Sequence, residues 1–371
     1  MCKKVFLLSL ILFGAALSYR AQFSYEVGIK TGVANYLGDI GGKDLPRQGL
    51  FLDMHVNQSR LAGSIFTRLK YNKKFMFSQE FGYMKIQDAD KFSTYIPRRT
   101  RNLNFRNRLI ESSTRTEYTI WYDNDVSNRG FYNPDFKLYV FTGLSVFYSN
   151  PQAQLVYDPA DSLVERGLLS AQEAADLAPG DLVDEQFYDL RQLRTEGATY
   201  SAVGIAIPAG VGFYLTFNKM FRLGYEICWR RTFTDYLDDV STLYNKPDPE
   251  DVKTYPLALV LQSQTYKELL EEQNDLLAAE ASNPIYLDIY NGGALMNIND
   301  FRYQPGNDQL EGGVQSPRGL HDPNNPLVKT DNYLTMQLTA SMVIKTKSKF
   351  WRSKYGWVKN RSNVKRSRGK F

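Results

Sequence analysis

The sequence predicts an all-β chain, an eight-stranded antiparallel outer-membrane β-barrel with long, partly helical extracellular loops. Three observations carry this reading. Apolar and polar residues alternate in segments of about ten residues, the length that crosses a bilayer as a tilted strand. The chain opens with "MCKKVFLLSLILFGAALSYRAQ", two lysines followed by an apolar run and then small residues. That is the pattern of a secretory signal peptide, and the run is short for a membrane span. Aromatic residues make up 14% of the chain, with 25 Tyr and 22 Phe, and no later apolar run is long enough for a transmembrane helix.

Cleavage after Ser18 or after Ala21 fits the small residues there. The expected division is a signal peptide at 1–21, a barrel with loop insertions at 22–345 and a basic periplasmic tail at 346–371. Cys2 leaves with the signal, so Cys228 remains alone and no internal disulfide forms.

The first strand, 23–31, sets Tyr25, Val27 and Ile29 against Ser24, Glu26, Gly28 and Lys30. The second, third and fourth span 61–71, 75–85 and about 111–122. The fifth, "FKLYVFTGLSVFY", groups Leu138, Val140, Thr142, Leu144 and Val146 on one face. The sixth, "YSAVGIAIPAGVGFYLT", carries Val203 to Leu215 on one face and little but Ala, Gly and Pro208 on the other. There the small residues make room for long arginines opposite, and Pro208, which donates no ladder hydrogen bond, marks a bulge. The seventh, "FRLGYEICWRRTF", alternates Phe221, Leu223, Tyr225, Ile227 and Trp229 with Arg222, Gly224, Glu226, Cys228 and Arg230. In the eighth, "DNYLTMQLTASMVIKTKSK", Leu334, Met336, Leu338, Ala340, Met342 and Ile344 share a face.

Short links ("NKK", "FNKM") and a moderate one ("DNDVSNRGFYNPD") alternate with long connections at 32–60, 86–110, 150–199 and 234–330. In a bacterial barrel the short turns and both termini face the periplasm and the long loops face outward. With apolar faces toward lipid, Glu26, Lys30, Arg68, Glu80, Glu111, Arg115, Glu117, Arg222, Glu226 and Arg230 point inward, five acids and five bases. Eight strands leave an interior that side chains fill. A matched charge set there forms a satisfied network and plugs the barrel. A soluble two-sheet sandwich gives similar alternation but would put those charged faces in water.

The loops hold two helical signals, "SAQEAADLAPGD" with a Ser170–Glu173 capping box and an apolar stretch at 257–281 whose side chains are read as packing. Chemistry is sparse. The two histidines, His55 and His321, lack neighbours at metal-ligand spacing, and no phosphate-binding glycine loop occurs. "DNDVSNRG" lacks the glycine and terminal glutamate of a calcium loop. "DYLDD", with Asp235, Asp238 and Asp239, reads as backbone capping or a cation site. The expectations are no catalytic residues, no metal, no cofactor and no small-molecule substrate.

From 345 to 370 the tail carries eleven Lys or Arg and no acid, leaving 34 bases against 40 acids elsewhere. Export argues against nucleic acid as its partner. Two readings remain open for it. Lys349, Trp351, Arg352, Tyr355, Trp357, Lys359, Arg361, Lys365 and Arg366 either meet the inner-leaflet interface or dock an acidic periplasmic protein.

"EVGIKTGVANYLGDIGG", "RNLNFRNRLIE", "YVFTGLSVFYSNPQAQ" and "RRTFTDYLDDVS" together resemble the PorG-like outer-membrane proteins of the type IX secretion system. The resemblance implies a structural subunit without enzymatic activity, set in the lipids of a Gram-negative outer membrane and docked from the periplasm by a PorK–PorN ring. The loop at 244–330 and the tail are longer than that family leads one to expect. Tyr36 and Asp39, with Asp235, Asp238 and Asp239, are candidates for loop structure or partner contact at the outer rim. The alternative function is a small porin or a surface-binding adhesion barrel.

Overall fold

The computed structural model describes residues 24–42, 54–93, 96–123, 135–156, 164, 170–172, 186–218, 220–241, 255–262, 264, 318–319 and 330–345. The expected signal peptide, the tail, His321, "DNDVSNRG" after Asp123, the Ser170–Glu173 capping box beyond its first residues and most of the loop at 244–330 fall outside these. Ten strands are described: β1 Ser24–Leu37, β2 Arg60–Lys70, β3 Phe75–Ala89, β4 Asn104–Asp123, β5 Asp135–Tyr148, β6 Pro151–Gln154, β7 Phe187–Asp189, β8 Val203–Phe217, β9 Phe221–Thr232 and β10 Asn332–Lys345. Eight of them close a ring in the order β1-β2-β3-β4-β5-β8-β9-β10, every pair antiparallel. Closure comes from β10 against β1, in one register from Ser24↔Lys345 to Leu37↔Asn332. No edge of the ring is left unpaired, which is what a backbone surrounded by hydrocarbon requires.

The polarity of the ring is inverted. Val27, Ile29, Ile65, Phe77, Ile110, Leu144, Ile205, Val211, Leu223, Leu338 and Ile344 are all exposed on its outside. Glu26, Lys30, Arg68, Glu80, Arg115, Glu117, Glu226 and Arg230 are buried inside. A soluble sandwich would reverse both sets, so the dry side of the alternation is the outside and its solvent is lipid. Exposed Tyr71, Phe75, Tyr118, Trp121, Tyr122 and Phe221 ring the end that carries the short turns, where aromatic girdles sit at the interface.

Several strands run further than the alternation indicated. β1 continues to Leu37, β3 to Ala89, and β4 begins at Asn104. Past the lipid belt the outward positions become polar, as at Asn35, Gln87 and Arg106, so the apolar half of the signal disappears while the ladder persists. Pro208 makes no bulge: the β5–β8 register is the same on both sides of it, from Thr142↔Ala209 to Ser145↔Ala206. The missing N–H leaves a gap in the ladder instead. The register shift lies in β4–β5, between Thr119 and Trp121.

Beyond the ring, β6 pairs with the start of β4 and β7 with β6. Three helices are described there: α1 Ile96–Arg101, α2 Leu190–Leu193 and α3 Tyr255–Gln262. Leu257, Ala258, Val260 and Leu261 of α3 pack on Ala153, Leu155, Leu190 and Leu193 in a small separate core. The apolar stretch thus packs internally where it is described.

Candidate functional site

The interior charges meet in three tiers. Nearest the short turns, Glu26 accepts from Arg68 Nη1 (2.6 Å), from Arg222 and from Ser341 Oγ (2.6 Å). Arg68 Nε lies 2.6 Å from Glu117 Oε2, but without hydrogen-bond alignment, so Glu117 is held by charge alone. In the middle tier Lys30 Nζ donates to Glu80 (2.8 Å) and to Glu226 (2.6 Å). Arg115 Nη1 donates to the same Glu226 oxygen at 2.5 Å, and its Nη2 lies 2.9 Å from Glu80. Ser64 Oγ and Tyr139 OH donate to the remaining oxygens of Glu80 and Glu226. In the third tier Arg230 and Tyr333 OH both donate to Glu111, and Arg230 also donates to Thr335 (2.6 Å). The structure therefore brings together all ten inward-facing residues singled out in the sequence. β5 adds an eleventh charge, Lys137, whose Nζ has Met76 Sδ as its hydrogen-bond contact at 3.5 Å.

Aromatic rings from β5 fill the rest of the lumen, and the glycines of β8 make space for them. A Cβ on Gly204 would stand 2.3 Å from the Phe147 ring, one on Gly210 2.5 Å from Phe141, and one on Gly212 2.6 Å from Tyr139. The space is therefore occupied first by rings, and the arginines stack on these. Arg115 lies 4.5 Å from the Phe141 centroid and Arg68 5.2 Å from that of Tyr139. The alternation of β5 already placed Tyr139, Phe141 and Phe147 inward. Their contact with β8 depends on register.

At the end with the long connections, a polar lid closes the barrel. Tyr36 OH donates to Asp331 (2.7 Å) and accepts from the Asp39 N–H (3.1 Å). Asp238 accepts from the N–H groups of Ile40 and Val240. Asp239 accepts from Thr195 and from Tyr200 OH (2.6 Å), and Arg318 donates to its carbonyl (2.6 Å). Arg101 ties Asp90 to the carbonyls of Asp39 and Arg318. Tyr36, Asp39, Asp238 and Asp239 are at most 2% exposed, and Asp235 is half-buried. Tyr36, near the end of β1, and Asp39, Asp238 and Asp239, in the loops, are engaged in hydrogen bonds within the lid. Asp90, Arg101, Thr195 and Arg318 carried no sequence signal, because their partners lie tens to hundreds of residues away.

Burial pushes the Asp239 carboxyl up to about 6, with Arg318 and the Thr195 and Tyr200 hydrogen bonds opposing it. Asp238 is raised well above the carboxylate range by burial and by the nearby Asp331 and Asp39. No group of three or more His, Cys, Asp or Glu with metal-binding geometry occurs among the described residues. His55 contacts Asp88 at 3.3 Å.

A family described as "Domain of unknown function (DUF6089)" matches residues 3–161. The chain matches no curated protein. Among solved structures it is similar to Ail, the attachment invasion locus protein of Yersinia pestis, crystallised with the heparin analogue sucrose octasulfate. That match has 8% identity and a TM-score of 0.24, over 57% of this chain and 88% of the other. It is also similar to Neisserial surface protein A, at 8% identity and a TM-score of 0.24, over 57% of this chain and 83% of that one.

Proposed function

We propose that this chain is a non-enzymatic, non-conducting barrel of a Gram-negative outer membrane that anchors a protein-export machine, its termini and short turns in the periplasm. The observation that carries the reading is the lumen. Ten of its eleven charges are paired and its space is filled by rings, so it offers no aqueous path and leaves the two ends of the barrel for function. The four motifs that resemble PorG-like proteins favour the type IX secretion system as that machine and a PorK–PorN-type ring as the periplasmic partner. In this reading the basic, aromatic tail meets the ring, with Trp351, Tyr355 and Trp357 as anchors between Lys349, Arg352, Lys359, Arg361, Lys365 and Arg366.

Deleting 346–371 tests it. The truncated chain is expected to remain a folded barrel that migrates faster unheated than heated on a denaturing gel, and to lose co-purification with the ring proteins. Retained co-purification would remove the tail from the interface.

A further inference from the structure

Going up the outward-facing pairs of the β3–β4 ladder, the five from Phe75↔Tyr118 to Tyr83↔Ile110 mix apolar residues with Gln, Ser and Thr and carry no charge. Phe75↔Tyr118 and Tyr83↔Ile110 face lipid. The next outward pair is Lys85↔Arg108, both exposed, followed by Gln87↔Arg106 and Ala89↔Asn104. At 3.3–3.4 Å per residue and a tilt near 40°, Gln87 and Arg106 stand roughly 10 Å above the last apolar pair. That height is the headgroup layer.

A cleft of ≈ 420 Å³ opens at this level, lined by Arg60, Gln87, Lys91, Asn104 and Arg106 with Phe187. Its one lining carboxylate is Asp88, which is 4% exposed and already engaged by His55 and by the Ala89 N–H. Arg106 is held flat, its guanidinium 3.2 Å from the Phe187 centroid and its Nε donating to Gln152 (3.0 Å), so its two terminal nitrogens stay available. Gln87 donates to Gln58 (3.1 Å), which leaves the Gln87 carbonyl and the Gln58 amide nitrogen unpaired among the described residues. Cations flanked by amides, each offering a donor beside an acceptor, suit a sugar bearing hydroxyls and phosphate.

We propose that this wall binds the phosphorylated saccharide headgroup of an outer-leaflet glycolipid, with Lys85, Arg106 and Arg108 taking the phosphates and Gln58 and Gln87 the sugar. A phospholipid phosphate would reach only the lowest row. The inference rests on the outward orientation of the long-loop end proposed above.

The test uses the full chain in phosphatidylcholine nanodiscs doped with bisphosphorylated lipid A, with lipid A lacking both phosphates, or with phosphatidylglycerol. Retention of the doped lipid is read by native mass spectrometry. Bisphosphorylated lipid A is expected to be retained preferentially. The combined variant Lys85→Gln, Arg106→Gln, Arg108→Gln should lose about tenfold or more of that retention, since each exposed charge contributes modestly. Its heat-modifiable mobility should be unchanged, because these side chains lie outside the lumen. Undiminished retention by the folded variant, or equal retention of phosphatidylglycerol, would overturn the assignment. Binding of the soluble bisphosphorylated disaccharide without retention of lipid A would overturn the membrane source. A separate arm labels Lys91→Cys on intact cells with an impermeant maleimide. Labelling only after permeabilisation would show that the orientation, rather than the chemistry, had failed.

Discussion

Glu226 is shared by Lys30, Arg115 and Tyr139, so its removal leaves two buried cations to share Glu80. Breaking a buried pair from one side typically costs 3–5 kcal/mol. Glu226→Leu is therefore expected to lower the unfolding free energy of the barrel in vesicles, extrapolated from urea titration, by about that much. Asp239, outside the membrane, makes a prediction about pH. Its carboxyl titrates near 6 in the fold against 3.8 as the ordinary value, so the folded state holds the proton more tightly. Stability from this group is fully present below about pH 4 and is lost as pH rises through 6. The protection factors of the backbone amides around 237–240, which correct for the intrinsic base-catalysed rate, should therefore be larger at pH 5 than at pH 7.5. Asp239→Asn should flatten that dependence, and an unchanged pH profile in the variant would show that another group controls the lid.

Among the elements, β5 and β8 depend on each other through missing side chains. At Gly204 a methyl would meet only the Phe147 ring, which can be trimmed, whereas at Gly210 it would also stand 2.2 Å from the Ile227 carbonyl, which cannot. Gly204→Ala is expected to cost about 1–3 kcal/mol by overpacking, and Phe147→Leu should recover part of it in a double-mutant cycle. Gly210→Ala paired with Phe141→Leu should recover less. Additive losses at Gly204 and Phe147 would mean the two do not share space. The lipid-facing parts of these strands were readable as alternation. The continuations of β1, β3 and β4 were not, because Asn35, Gln87 and Arg106 face polar loops or water and break the apolar period.

For the whole molecule, a lumen plugged by rings and paired charges predicts no stable single-channel openings after reconstitution in planar bilayers. Reproducible openings would contradict the filling of the interior. The fold was largely legible, since inverted polarity is written in each strand by residue type alone. The lid was not. Tyr36, Asp39, Asp238 and Asp239 read as loop structure or partner contact, and a single sequence cannot show that Asp331, Thr195 and Arg318 converge on them. Gly204, Gly210 and Gly212 were read as room for arginines, since which neighbour fills a gap depends on the register of β5.

By itself the sequence determined which residues of each strand share a face, because period two assigns faces without reference to any partner. It also determined that the inward acids and bases nearly balance. Only the tertiary structure decided that Lys30 and Arg115 converge on Glu226, that rings rather than arginines fill the space over the β8 glycines, and that a basic cleft sits just above the lipid belt. Those outcomes are set by ring closure and strand register, which place residues from distant parts of the chain within a few ångströms of one another.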